Sequence, residues 1–174
     1  GCALPGLNGQ SAFVTGNVFL RGISAQKEVR FSGAIIGGQF DCEGARFEAP
    51  TGQALNAQGA KFGRSVNLRN IIAKASVGLK GTTIGGQLDC EGAHFGAQSG
   101  QALNAQGVKV TRSVYLRNIT ANAEVKINAA VIGGQLSCKG ACFEAGEGRS
   151  LNAQRMKVAQ GLIWREIDVG NGVF

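Results

Sequence analysis

Five cysteines, one histidine and two acidic doublets are the residues of this chain best suited to catalysis or metal binding. Cys42, Cys90 and Cys138 recur at one fixed interval, and Asp41/Glu43 and Asp89/Glu91 flank the first two. Neighbouring carboxylates can share general acid and base roles, and a thiol beside a histidine can act as a nucleophile. Close clusters of Cys, His and carboxylate side chains can hold zinc. A second set is cationic. Lys61, Lys109 and Lys157 recur at the same interval as the cysteines, and Arg64 and Arg112 follow the first two closely. Cations repeated at a fixed interval can bind a polyanion with an affinity that falls as salt rises. The choice among these chemistries depends on where the repeat places the side chains.

The repeat is written in three phrases: IGGQFDCEGARF (Ile36–Phe47), IGGQLDCEGAHF (Ile84–Phe95) and IGGQLSCKGACF (Ile132–Phe143). Between them LNAQGAKFGRSVNLRNI, from Leu55, returns from Leu103 and more weakly from Leu151. Aligning Val14, Ile36, Phe62, Ile84, Val110, Ile132 and Val158 gives steps that alternate between 22 and 26, hence seven tandem units. A period of this kind marks a stacked-repeat architecture. Within a unit, apolar or small residues come in pairs two apart. In the third unit these are Leu55/Ala57, Ala60/Phe62, Val66/Leu68 and Ile71/Ala73, and successive pairs start five or six positions apart. A spacing of two puts both side chains on one side of an extended segment, and four such segments make a four-sided coil. No helical period persists. The predicted fold class is all-β: a parallel β-solenoid of seven coils about 4.8 Å apart, one domain over residues 1–174. The additional residues of the longer steps fall between the fourth side of one coil and the first side of the next. They give loops Glu48–Ala54, Gly96–Ala102 and Glu144–Ser150, predicted to project from one corner at every second coil.

On this frame Cys42, Cys90 and Cys138 take one inward position in coils two, four and six, and Leu68, Leu116 and Trp164 take it in coils three, five and seven. Same-position cysteines are then about 9.6 Å apart, beyond the roughly 7 Å that a disulfide spans. The column therefore reads as core, with free thiols suited to a reducing, cytoplasmic compartment. Cys142 and His94 point outward two coils apart, too far for a dyad, and no four ligands converge for zinc. Arg21, Glu43, Arg69, Glu91, Arg117, Lys139 and Arg165 occupy one outward position, so opposite charges adjoin through the first five coils. That makes the acidic residues a structural ladder. Asn8, Asn56, Asn104 and Asn152 share another position and are expected to bond turn or neighbouring backbone. The glycine pairs at 37–38, 85–86 and 133–134 read as turn residues, not a phosphate cradle. No catalytic, cofactor-binding or metal-binding residue is assigned, and no small-molecule substrate is expected. Lys61, Arg64, Lys109, Arg112 and Lys157 form the candidate binding stripe on the second side; a merely solubilising face is the competing reading. Aromatic residues for base stacking are not interleaved with it.

The net charge of +7 suits an acidic partner and argues against mimicry of DNA. No apolar run approaches the roughly 18–20 residues that cross a bilayer as a helix. The first coil begins by Leu7 and the last ends at Val169, which leaves too little chain for capping helices. Uncapped coils expose apolar interior and unpaired backbone, so an end-to-end homodimer or a fragment of a longer solenoid is expected.

The segments GARF, GAKF, GAHF and GACF resemble the motif of pentapeptide-repeat proteins. That resemblance implies a right-handed, quadrilateral β-helix, and by analogy the gyrase or topoisomerase binding known for some members. The steps of five and six, and Val66, Leu88 and Val114 where the family favours Ala, depart from its pattern and imply a larger or less square section. IGGQLDCEGA and VYLRN are also similar to bacterial repeat proteins labelled membrane-associated oxidoreductases, without any catalytic motif. The expected function is a non-catalytic rigid scaffold that binds another macromolecule, a protein, through its outer faces or corner loops. The alternatives are a polyanion or anionic membrane held by the basic stripe, or service as a non-catalytic part of a larger enzyme.

The column of alternating Cys and Leu generates a test. Cys90→Leu places three leucines in succession and is expected to destabilise the fold by about 1–3 kcal/mol through overpacking, measured by denaturant unfolding. A neutral variant would show that the column is not packed.

Overall fold

In–out–in triplets set the cross-section of the coil. In the third coil these are Leu55–Ala57, Ala60–Phe62, Val66–Leu68 and Ile71–Ala73, and all eight flanking side chains are buried. The computed structural model describes residues 2–144 and 149–169. Its triplets form four faces, each a parallel sheet with strands in coil order: seven strands on the first, second and third faces and eight on the fourth. The result is a right-handed, all-parallel β-solenoid with four sheets. Strand register repeats the sequence steps, for example Phe13 with Ile35, Ile35 with Lys61 and Lys61 with Thr83. The eighth strand of the fourth face is Ala3–Leu4, paired with Ser24–Ala25, so the stack begins one strand before Leu7.

Two corner lengths explain steps of five and six. Gln58–Gly59 and Arg69–Asn70 are two-residue turns, while Gly63–Ser65 and Lys74–Ser76 supply three residues. Short and long corners alternate around the coil, so opposite corners match. At the corner between the third and fourth faces, Gly44, Gly92 and Gly140 have φ of 65–68° and Asn70 and Asn118 have φ of 53–54°. Only Gly visits this left-handed region freely, with Asn tolerated next best.

The glycine pairs serve close approach rather than positive φ. A Cβ on Gly86 would lie 2.7 Å from the Ser65 backbone nitrogen and 2.9 Å from the Arg64 carbonyl carbon; one on Gly134 would lie 2.9 Å from both the Arg112 carbonyl carbon and the Ser113 nitrogen. The corner is closed by bonds between coils: Gln39 N–H donates to Asn17 Oδ1 at 2.8 Å, and Gln87 and Gln135 N–H donate to Ser65 and Ser113 Oγ at 3.2 Å.

The interior is packed through the central coils and more open in the first and last. Phe40 lies against both Phe31 and Phe62 with ring centroids 5.1 Å apart. Thr82, the one polar inward residue of its coil, donates its hydroxyl to Ala57 O at 2.9 Å and leaves no orphan. Cys42, Leu68, Cys90, Leu116 and Cys138 are buried, and all five cysteines of the chain are free. Trp164 departs from its expected core position. It stacks on Phe143 at 6.1 Å but remains 37% exposed, because no further described strand follows its coil on the third face.

The inserted loops project less than their length suggests. Ala49, Ala54, Ala97 and Ala102 are buried, and the register slips by one residue between Gln53 and Leu55 and between Gln101 and Leu103. Each of the first two insertions is thus a short excursion, exposed at Pro50–Gly52 and Gln98–Gly100, that leads into a β-bulge. Of the third loop, residues 145–148 lie outside the described residues, as does the segment 170–174 that includes Phe174.

Gly86→Ala is expected to lower stability by about 1–3 kcal/mol, since its Cβ meets backbone that must shift. Gly16→Ala, at the same corner of the first coil with nothing within 4 Å, should be close to neutral. Thermal melts of the two variants check the pair; equal melting temperatures would contradict the close stacking.

Candidate interaction surfaces

The middle residue of each triplet faces outward, so side-chain chemistry is sorted into four columns. On the third face the column runs Phe19, Asp41, Asn67, Asp89, Tyr115, Ser137 and Ile163. Asp41 nevertheless has no exposed surface. Its carboxylate accepts from Arg21 Nε at 2.7 Å, Asn67 Nδ2 at 3.0 Å, Gln39 Nε2 at 3.1 Å and the Glu43 N–H at 3.1 Å. Four donors satisfy a carboxylate fully and leave no lone pair aimed at a substrate. Asp89 repeats the bond to the following turn, accepting from the Glu91 N–H at 3.1 Å.

The charge ladder is real between some coils and differently partnered from the expectation. Arg21 pairs with Asp41 rather than Glu43. Glu91 is shared by Arg117 at 2.8 Å and Arg69 at 3.6 Å, and Arg69 also approaches Asp89 at 3.8 Å. Arg117 lies over the Tyr115 ring at 4.5 Å. Guanidinium groups reach diagonally across the coil stack, so the carboxylate two residues before the expected column competes for them. On the first face, Asn8, Asn56, Asn104 and Asn152 each accept the N–H two residues on, at 3.1–3.4 Å, and so bond the turn.

The fourth face carries His94 and Cys142. His94 pairs in register with Ile72 and Thr120, and Cys142 with Thr120 and Asp168, which keeps thiol and imidazole two coils apart. The Cys142 thiol donates to Glu144 Oε1 at 3.2 Å. Burial first, then the Glu144 carboxylate, push its pKa up to about 11. Desolvation raises the buried thiols as well, Cys138 to about 12. Among the described residues no group of three His, Cys, Asp or Glu could hold a metal ion. A shallow cleft of about 390 Å³ opens on this face between the first two loops, with Pro50, Lys74, His94, Gln98 and Asn122 among its walls.

The second face places the basic stripe. Its outward column is Phe13, Ile35, Lys61, Thr83, Lys109, Val131 and Lys157, with register pairing from each residue to the next. Arg64 and Arg112 stand at the long corner beside it, exposed. None of these five cations takes part in an ion pair among the described residues. Two further cations escaped the motif-based reading, Lys80 and Arg155, at the short corner bordering the same face. A count of charge by face on the same repeat frame would have found them.

No protein-family model, curated protein or solved structure matches this chain. The four-sided, all-parallel coil is consistent with pentapeptide-repeat-like proteins. No described helix is long and apolar enough to cross a membrane.

Because its thiol is held protonated, Cys142 should alkylate slowly at neutral pH, with a rate rising tenfold per pH unit toward about 11. Glu144→Gln removes the anion and should speed the reaction at neutral pH. Iodoacetamide labelling read by peptide mass spectrometry checks both; fast, pH-independent labelling would contradict the assignment.

Proposed function

We propose that this chain is a rigid, non-catalytic scaffold, related in architecture to pentapeptide-repeat proteins, whose outer face holds another macromolecule. The observation that carries this reading is the division of its residues. Inward positions in the central coils are packed with apolar side chains, while the polar and charged groups stand in outward columns that differ from face to face. A solid interior offers no enclosed site for a small substrate, and small-molecule sites favour concave pockets. The carboxylates near Cys42 and Cys90 are engaged with neighbouring donors, as expected of structural groups. A protein partner is the first choice, since rigid solenoids present extended surfaces without a cost in ordering. The five free thiols support a reducing compartment. Topoisomerase binding through DNA mimicry calls for an acidic face, and the basic second face has the wrong sign.

One photo-crosslinking amino acid per face tests the proposal, placed at Lys126, Thr83, Tyr115 or Thr120 in living cells that express the chain. The expected result is a discrete adduct from one face only. Adducts from all four faces alike, or from none, would overturn the reading.

A further inference from the structure

The chain carries 18 Lys and Arg against 11 Asp and Glu, for a net charge of +7. These charges are not spread around the solenoid. Lys61, Lys109 and Lys157 occupy the outward column of the second face, Arg64 and Arg112 its long corner, and Lys80 and Arg155 its short corner. The seven segments that build this face and its corners, such as 58–65 and 106–113, contain no Asp or Glu. The rest of the chain balances eleven cations against eleven acids, so the whole net charge of +7 belongs to one side. All eight ion pairs among the described residues lie elsewhere.

The same column also shows apolar side chains to solvent. Phe13 is 72% exposed, and Ile35 and Val131 are each 43% exposed. They share one in-register column with the lysines, so cationic and apolar groups stand on the same face along roughly 30 Å of stacked coils. Phe13 and Ile35 adjoin at one end of the column and Val131 stands between Lys109 and Lys157, so the face is amphipathic as well as cationic.

We propose that the second face is a docking surface for an anionic lipid bilayer, its lysines and arginines meeting lipid phosphates while Phe13, Ile35 and Val131 enter the headgroup layer. A bilayer interface accepts both kinds of side chain at once, cations at the lipid phosphates and apolar groups among the headgroups. A DNA duplex is a convex cylinder of phosphate, which would leave the apolar members of the column without a partner. Single strands would ask for aromatic residues alternating with the cations, and the column has only Phe13. The inference deepens the scaffold reading by naming one partner surface for one face.

Co-sedimentation of the full chain with phosphatidylcholine vesicles, with and without phosphatidylglycerol, tests it. Binding is expected only with the anionic lipid, and it should weaken as salt rises. Each lysine near such a surface contributes roughly fivefold, so the Lys61→Gln/Lys109→Gln/Lys157→Gln variant should bind about 100-fold more weakly. A control variant, Lys27→Gln/Lys126→Gln/Lys139→Gln, removes the same charge from other faces and should bind within a few-fold of the parent. Phe13→Ser/Ile35→Thr/Val131→Thr should lower the fraction of binding that survives high salt. All nine positions lie outside the packed interior, and unchanged thermal melting verifies each variant. Equal sedimentation with neutral and anionic vesicles, or equal losses in the two lysine variants, would overturn the inference. So would binding to a DNA duplex that is tighter than to vesicles and indifferent to the apolar substitutions. Absence of vesicle binding alongside single-face crosslinking to a protein would defeat this inference and leave the scaffold reading intact; vesicle binding with crosslinks from every face would do the reverse.

Discussion

Each coil of this protein satisfies its backbone through the coils on either side. Ala57 N–H donates forward to Gly78 O at 2.8 Å, while Lys61 and Gly63 N–H donate backward to Ala34 O and Ile36 O at 2.8 Å. A buried backbone group without such a partner costs about 1–3 kcal/mol, so the register between coils is strongly specified. In-register parallel stacking then imposes columns. Whatever stands at one position faces its equivalents about 4.8 Å above and below.

That constraint accounts for features that otherwise look unrelated. At the corner after the second face, no Cβ can be placed on Gly86 or Gly134 without meeting the backbone of the preceding coil. In the interior, cysteine and leucine alternate between coils at one position, and on the fourth face Ala45/Phe47, Ala93/Phe95 and Ala141/Phe143 alternate with Ile71/Ala73 and Ile119/Ala121, which keeps the section filled. On the third face, equal spacing brings acids of one coil against arginines of the next. Those pairs contribute little each, a few tenths of a kcal/mol to about 1 where the arginine is exposed. Their larger consequence is to occupy the carboxylates.

The columns also explain how a surface can carry function without a pocket. Thr83, Lys109 and Val131 succeed one another in a single column because the second-face sheet is parallel and in register. Three faces pair their charges or cancel them, and the second does not. A rigid rod with its net charge on one side orients itself in the field of an anionic partner before contact. In the proposed docking, the apolar members of the column are what favour a layered partner over a purely polyanionic one.

The sequence by itself determined the four sides, the seven coils and which residues face inward, because pairs two apart that recur in two alternating step lengths admit few other arrangements. It also placed Lys61, Lys109 and Lys157 on one face, since a residue between two inward positions must point out. The tertiary structure decided what such a pattern leaves open. Asp41 is outward by alternation yet fully buried, because Arg21, Gln39 and Asn67 close over it from the neighbouring coils and its own. Arg21 takes Asp41 in place of Glu43, a choice set by the reach of a long side chain across the stack. The loops tuck Ala54 and Ala102 beneath a bulge instead of projecting whole. Trp164 sits at an inward position and stays partly exposed, because burial there depends on a neighbouring coil and not on local alternation. Alternation is a property of the chain's own backbone and can be read along it. Burial, partner choice and unpaired charge depend on side chains from the coils above and below, each a whole repeat away along the chain.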